Sequence, residues 1–393
     1  MTGWITRRLL FLALAFAGTT AHAQAPLIVG AVVSQTGAHA DLASDYARGL
    51  ELWRDQLNGG GGLLGRNVEL RLLDDASDAS KAGPLYARLI GERVDALIGP
   101  YGTAATLVAA AQAEAAQKVM VNGAGWSRVV HSRAPRYVFQ SAVPYTAYGA
   151  AVMDFAYAAG FRSALVLSRD DPVATEMTSA ALDSAKRLGV VAVEPLTYSG
   201  GTLDFVPIAM KARAAGVEVW IAFGEVRDAA EMLKALKKLQ YAPKLFFVRG
   251  AADERLLEMV GQDAEAAMGA HAWQPDLARP GNAAFVQTFR AKWSRNPTTA
   301  AAEGYAAGSV LAEGVRKAGT TEARALRAAM ASLHAGTLLG PYRVDPATGQ
   351  QTGALPVLVQ IQRGERRVVA PPRDAIAPAV LPYPAWADRR IIK

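Results

Sequence analysis

The segment from Leu27 to Asp78 limits the possible folds of this chain more than any other part of it. It begins with an apolar run, LIVGAVV, which is followed by a loop of small residues and a long helical run. A glycine-rich stretch, GGGGLLG, and a second apolar run, VELRLL, complete the segment. This order predicts two parallel strands, because parallel neighbours need a helical crossover between them. The small-residue loop would then lie at the carboxyl end of the first strand.

The residues before this segment have the pattern of a signal peptide. Arg7 and Arg8 precede the apolar run LLFLALAFA, which is too short to span a membrane. Small residues follow at Ala21-His22-Ala23, where signal peptidase accepts them. We therefore expect residues 1–23 to be removed after Ala23 and the remainder to be exported. The alternative is an uncleaved membrane anchor.

Composition excludes several classes of exported protein. The chain has 393 residues and no cysteine, so it has no disulfide framework, thiolate metal site or cysteine nucleophile. Its length corresponds to about two domains once the signal is removed. The net charge is +7, of which Arg7 and Arg8 supply two charges. The basic residues are scattered, whereas nucleic-acid-binding proteins concentrate them on one surface. We therefore expect no nucleic-acid partner.

Apolar strand-like runs alternate with helical runs through most of the chain. The candidate strands are Leu27–Val33, Val68–Leu73, Ala96–Ile98, Val119–Val121, Ala164–Leu167, Val190–Pro195, Val217–Phe223 and Lys244–Val248. The candidate helices are Asp41–Asn58, Ala79–Gly91, Tyr145–Ala159, Ala174–Leu188, Phe205–Ala215 and Arg227–Leu239. Continuous apolar runs are typical of parallel strands that are covered on both faces. The pattern predicts an α/β fold with doubly wound parallel sheets.

Three proline-marked breaks, at Pro144, Pro275 and Pro341, suggest where the chain passes between domains. Three breaks in one α/β chain predict two lobes joined by three connections, which would form a hinge. The first lobe would contain residues 24–143 and 274–340, and the second would contain residues 144–273 and 341–370. Residues 371–393 would form a C-terminal tail.

Known catalytic and metal-binding motifs are missing. The sequence contains neither Gly-x-Ser-x-Gly nor His-Glu-x-x-His, and no two histidines outside the signal have metal-ligand spacing. The glycine run Gly59–Gly62 follows a helix and precedes a strand, which is the reverse of a dinucleotide loop, so we interpret it as a helix cap and turn. Asp74, Asp75 and Asp78 precede a helix and are interpreted as caps. We expect no enzyme activity, metal or cofactor.

The sequence resembles the periplasmic solute-binding proteins of branched-chain amino acid ABC transporters, which have the type I periplasmic binding fold. The motifs that carry the resemblance run in family order: SQTG at 34–37, RGLEL at 48–52, NGGGGLLG at 58–65, DD at 74–75, ALIGP at 96–100 and GPYRVD at 340–345, followed by the strand Pro356–Ile361. The resemblance implies two lobes that close around a small solute. It also implies delivery to an inner-membrane permease, and we expect the protein to be monomeric.

The resemblance assigns the ligand site of the first lobe position by position. Tyr101, Gly102 and Thr103 would bind a substrate carboxylate, with help from the helix that begins there. Gly125 and Trp126 lie in a second turn, where the family has a serine or threonine in place of the tryptophan. Leu42 stands where the family has an aromatic wall.

The second lobe departs further from the family pattern. Val173 replaces part of a Tyr-Gly pair, and Arg249 stands near the position of the acid that binds an amino group. Glu225, from a neighbouring strand, is either a substitute acceptor or the cap of the following helix. We expect a small organic acid or an amino acid-like ligand, and Trp126 favours an aromatic carboxylate. A ligand-sensing subunit of a membrane receptor is a second interpretation, and an exported α/β enzyme is a third.

Overall fold

Two sheets, one in each lobe, form the framework of the computed structural model, which describes residues 25–389. The first is a five-stranded parallel sheet with the strand order β2-β1-β3-β4-β5. Its strands and helices are β1 (Leu27–Val32), α1 (Ala40–Gly59), β2 (Val68–Leu73), α2 (Ala79–Gly91), β3 (Ala96–Ile98), α3 (Thr103–Ala115), β4 (Met120–Asn122) and β5 (Val138–Gln140). The α/β fold class is therefore confirmed.

The second sheet has seven strands in the order β14-β13-β10-β9-β8-β6-β7. The elements that build this lobe are α4 (Tyr145–Ala158), β6 (Ser163–Arg169), α5 (Pro172–Leu188), β7 (Val191–Tyr198), α6 (Val206–Ala214), β8 (Val219–Phe223), α7 (Val226–Lys238), β9 (Leu245–Val248), α8 (Arg255–Val260) and β10 (Met268–His271). Strands β6 to β10 are parallel, and the last two strands of the chain extend the sheet in antiparallel orientation.

After β10 the chain returns to the first lobe. The elements there are α9 (Asn282–Trp293), α10 (Thr299–Ala318), α11 (Ala323–Ala331), β11 (Ala335–Thr337) and β12 (Gly340–Tyr342), before β13 (Val357–Gln362) and β14 (Glu365–Ala370) complete the second sheet. Helix α10 packs closely on α1 because small residues at the contact let the two backbones approach each other. A Cβ atom on Gly304 would lie only 2.1 Å from the carbonyl oxygen of Tyr46. This close packing carries the next helical turn of α10 towards the carboxyl ends of the first sheet.

The glycine run and the aspartates behave largely as the sequence predicts. Gly61 and Gly62 adopt positive φ values of 98° and 78°, which are favourable for glycine in a turn. Asp78 caps α2 by accepting a hydrogen bond from the Ser80 N–H at 3.0 Å. Asp74 and Asp75 instead fix the loop after β1. Asp74 accepts from the Gln35 N–H at 2.9 Å and from the Thr36 N–H and hydroxyl at 3.4 and 2.8 Å, and Asp75 accepts from the Ser34 hydroxyl at 2.6 Å.

Two regions differ from the simple two-lobe division that the sequence suggests. The segment after Gly340, assigned above to the second lobe, contacts the first: Tyr342 is buried in the first-lobe core, and the Gln140 N–H donates to the Gly349 carbonyl at 2.8 Å. The tail is anchored, because Arg279 makes two hydrogen bonds to Asp374, at 2.9 and 2.8 Å, in a buried ion pair. The predicted signal peptide lies outside the described residues. None of the helices within residues 25–389 is long and apolar enough to span a membrane.

Candidate functional site

The loops that follow strands of both sheets meet where the two lobes face each other. In open α/β sheets, ligands bind at the carboxyl ends of the strands, because loops and helix N-termini converge there. The first lobe contributes the turns after β3 and β4. The second lobe contributes the turns after β8 and β9 and the start of α4, which follows directly from the first connection between the lobes.

Aromatic rings from both lobes contact each other at this position. The rings of Tyr101 and Trp126, both predicted site residues, are 5.2 Å apart and nearly perpendicular, a favourable arrangement for aromatic pairs. Tyr145, the first residue of α4, lies 5.8 Å from the Trp126 ring. Tyr145 also donates its N–H to the Trp126 carbonyl at 3.1 Å. The sequence placed Tyr145 only at a domain boundary, so its role in this aromatic cluster was missed.

Glu303 lies behind the Trp126 indole and was also missed. It belongs to α10 and is only 3% exposed. The indole Nε1–H donates a hydrogen bond of 2.7 Å to its Oε1 atom. Burial raises the pKa of Glu303 to about 8, although the hydrogen bond from Trp126 opposes the shift. The carboxyl group is therefore mainly protonated at neutral pH. The sequence signal was an acid among small residues in the first half of α10, TAAAEGYAAG.

The turn after β3 presents an unused hydroxyl group. Thr103 is the first residue of α3, and its Oγ1 atom is buried with no hydrogen-bond partner in the described structure. Leaving a buried hydroxyl unpaired costs about 1–3 kcal/mol. The preceding Gly102 has a φ of 97° and donates its N–H to the Ala124 carbonyl at 3.0 Å, which joins the turn after β3 to the turn after β4. The Thr103 hydroxyl is thus a candidate site group that has no competing hydrogen bond within the described residues.

Three other predicted residues have different surroundings. Gly125 lies beside Trp126, but its N–H donates to the side chain of Asn122 at 2.7 Å and its carbonyl accepts from the same side chain at 2.9 Å. Its amide is therefore occupied by the protein itself. Leu42 lies on the first turn of α1 and is 51% exposed. Val173 lies on the first turn of α5 and packs against the second-lobe core.

The second lobe presents an ion pair. Glu225 and Arg249 follow β8 and β9, and the Arg249 guanidinium donates to the Glu225 carboxylate. Glu225 is also the N-terminal cap residue of α7, and its N–H donates to Asp228 at 2.8 Å. Burial raises the pKa of Tyr145, and the positive charge of Arg249 opposes that rise. The guanidinium therefore lies close enough to the aromatic cluster to interact with it electrostatically. Because its carboxylate is already paired, Glu225 is not a free acceptor for a ligand ammonium group.

A further contact joins the lobes beside the aromatic cluster. Glu176 of α5 accepts hydrogen bonds from the Ser127 hydroxyl at 2.5 Å and from the Arg128 N–H at 2.8 Å. These bonds connect the second lobe to the turn that carries Trp126. A cavity of about 840 Å³ lies next to them, and its lining includes Ser127, Glu176 and Thr348. Tyr101, Thr103, Trp126 and Tyr145 are not among the residues that line it.

The fold and this arrangement of loops define a two-lobed binding protein. A family model described as periplasmic binding protein matches residues 26–365. The chain therefore belongs to the periplasmic binding protein family, and the resemblance to the branched-chain amino acid-binding group of ABC transporter proteins is confirmed.

Individual relatives are distant but similar over most of their length. The leucine-, isoleucine-, valine-, threonine- and alanine-binding protein of Pseudomonas aeruginosa is 23% identical over 338 residues, which are 82% of this chain and 89% of that protein. A structure described as a putative branched-chain amino acid ABC transporter from Rhodospirillum rubrum has a TM-score of 0.81 at 20% identity, covering 88% of this chain and all of the other. A solute-binding protein from R. palustris, solved in complex with benzoate, has a TM-score of 0.67 at 22% identity and covers 91% and 98% of the two chains.

Proposed function

We propose that the protein is the periplasmic solute-binding component of an ABC importer and that its ligand is a small aromatic carboxylate. The observation that carries the ligand class is an aromatic face on Trp126 and Tyr101 opposite Arg249, whose guanidinium uses its Nη2 atom for Glu225 and has further N–H donors for an anion. An aromatic ring would pack on the first-lobe face, and the Thr103 hydroxyl would hold the carboxylate.

The same residues argue against an α-amino acid. The ammonium group of an amino acid needs a charged acceptor when it is buried, because an unpaired buried charge is costly. The carboxylate of Glu225 already pairs with Arg249, and the carboxyl group of Glu303 is mainly protonated at neutral pH. The proteins named above include one that binds aliphatic amino acids and one solved with benzoate. The composition of this cleft favours the second kind of ligand.

Isothermal titration calorimetry of the refolded, ligand-free protein would test this proposal. The titrants are benzoate, other aromatic acids and the aliphatic amino acids. We expect heat of binding with at least one aromatic carboxylate, and we expect Trp126→Ala and Thr103→Ala to weaken that binding while the fold is retained. Tight binding of leucine with no response to aromatic acids would contradict the ligand class. Unchanged binding by both variants would contradict the site.

The importer role implies a membrane permease as partner, and we infer that the protein acts as a monomer that delivers its solute to that permease. No catalytic step is part of the proposal. Co-purification of the tagged protein with an inner-membrane permease, dependent on added ligand, would support this role. Binding to a receptor kinase instead would support the sensing role.

A further inference from the structure

Glu303 combines burial, a single polar partner and a position directly behind the cleft. It lies in the second turn of α10 between small residues, and close packing of Gly304 on Tyr46 fixes its backbone. The side chain reaches Trp126, which is 177 residues away in sequence, with a bond of 2.7 Å from Nε1 to Oε1. Trp126 in turn contacts Tyr101 and Tyr145. The orientation of the aromatic face therefore depends on this carboxyl group.

The ionisable groups that face Glu303 are aromatic on every element around it. They are Tyr46 on α1, Tyr101 after β3, and Tyr145 and Tyr148 on α4, which lie alongside the Trp126 indole. Burial raises the pKa of each of these tyrosines, and the charge of Glu303 raises it further. Within the described residues no basic group stabilises an ionised Glu303. Arg249 acts on Tyr145 and Tyr148 but has Glu225 as its own partner.

We propose that Glu303 is a positioning residue that holds the Trp126 indole against the cleft, and that its carboxyl group must keep its proton for an anionic ligand to stay bound. This inference rests on the proposed function for the charge of the ligand. An ionised Glu303 would place a second negative charge close to the ligand carboxylate in surroundings of low dielectric constant, where like charges repel strongly. It would also draw water towards a carboxylate that has one donor, and thus loosen the aromatic contacts.

The pH dependence that follows has a definite sign. Only the protonated fraction of the protein would bind the anion well, so the apparent dissociation constant rises as that fraction falls. Because the pKa of Glu303 is raised to about 8, most molecules are competent at pH 7 and few are at pH 9. The dissociation constant for benzoate, which stays anionic throughout, should rise about tenfold between these two values.

The test compares the wild-type protein with Glu303→Gln, which keeps an oxygen acceptor for the indole but cannot ionise. The matched control is Glu313→Gln, which removes an exposed acid of the same helix that pairs with Arg316. Benzoate affinity is measured by calorimetry at pH 7, 8 and 9. Between pH 7 and pH 9 we expect benzoate affinity to fall about tenfold in the wild type and in Glu313→Gln, and to stay nearly constant in Glu303→Gln. Equal pH slopes in all three proteins, or a flat wild-type profile, would overturn the inference.

A second readout needs no ligand and separates this inference from the proposed function. The tryptophan emission of the ligand-free protein is recorded from pH 6 to 9.5, and the curve of a Trp126→Phe variant is subtracted to isolate Trp126. We expect the difference signal to titrate near pH 8 in the wild type. The transition should be absent from Glu303→Gln and present in Glu313→Gln. If no aromatic acid binds but this titration is present, the proposed ligand fails and the positioning role stands. A Trp126 signal that does not change with pH would overturn the positioning role whatever the ligand.

Discussion

The two faces of the cleft differ in chemistry although both are built at the carboxyl ends of parallel strands. The first-lobe face is aromatic and uncharged, with Tyr101 and Trp126 supported by the protonated Glu303. The second-lobe face is ionic, with Arg249 paired to Glu225. The difference shows that the chemistry of such a face depends on more than the loops at the strand ends. A helix from a distant part of the chain supports the first face, whereas neighbouring turns of one sheet make the second.

The largest effect should come from Glu303→Gln, which removes the ionisable group that supports the first-lobe face and should change the free energy of unfolding. The pKa of Glu303 rises from 4.5 in the unfolded chain to about 8 in the folded protein. The unfolded state therefore loses this proton first, and the stability that the protonated group contributes below pH 4.5 is lost as the pH rises towards 8. We expect Glu303→Gln to raise the free energy of unfolding by about 3 kcal/mol at pH 7 and to change it little at pH 4.5.

Urea denaturation at the two pH values measures this difference. Glu313→Gln serves as the control and should change stability by less than about 0.5 kcal/mol at either pH, because its acid is exposed. A Glu303→Gln effect of equal size at pH 4.5 and pH 7 would show that Glu303 does not titrate in this range.

Removing the Arg249 cation should weaken ligand binding by the second-lobe face. We expect Arg249→Ala to weaken benzoate binding by about thirtyfold, or about 2 kcal/mol, because the variant loses a charge facing the ligand and frees the Glu225 carboxylate. The double variant Arg249→Ala with Glu225→Gln removes both charges and should recover part of the loss. Arg255→Ala is the control, since Arg255 is exposed and pairs with Asp253. Calorimetric affinities that do not distinguish Arg249→Ala from the control would contradict the ionic role of this face.

A comparison of two threonines of α3 distinguishes a role in ligand binding from a role in stability. The Thr103 hydroxyl is unpaired, whereas the Thr106 hydroxyl donates to the Pro100 and Gly102 carbonyls at 3.3 and 2.7 Å. Thr103→Val should therefore weaken ligand binding about fivefold, or by about 1 kcal/mol, without loss of stability. Thr106→Val should instead lower stability by about 1 kcal/mol. Affinity and urea denaturation are measured for both; a loss of stability in Thr103→Val would indicate a structural partner for its hydroxyl.

The smallest effect should come from the contact between the lobes. Glu176→Gln weakens the acceptor of the Ser127 and Arg128 hydrogen bonds and should raise the dissociation constant about twofold, since each exposed contact of this kind contributes about 0.5 kcal/mol. Asp183→Asn on the same helix is the control. Small-angle scattering without ligand should show a slightly larger radius of gyration for Glu176→Gln alone. Identical scattering and affinity in the two variants would mean that this contact does not favour closure.

The sequence predicts the framework of this protein better than its ligand site. Apolar runs and turn residues are local signals, and they place α2 with its observed bounds and most other elements within two residues. Strands β5 (VFQ), β10 (MGAH) and β11 (AGT) were missed, because they lack a continuous aliphatic run like that of β3 (ALI) and only pairing with neighbouring strands identifies them. Tyr101 and Trp126 follow predicted strands, and the family resemblance assigns them to the candidate site. Glu303 could not, since its contact with Trp126 depends on how tightly two helices distant in sequence pack.

The most direct test of the contrast between the two faces uses two ligands that differ in one group. Phenylalanine and 3-phenylpropanoate share a ring, a carboxylate and the chain between them, but only phenylalanine carries an ammonium group. We measure both dissociation constants by calorimetry at pH 7 with the same ligand-free protein. If an uncharged aromatic face opposes a cation, 3-phenylpropanoate should bind at least tenfold more tightly, because the ammonium group would be buried without an acceptor. Tighter binding of phenylalanine would contradict the account.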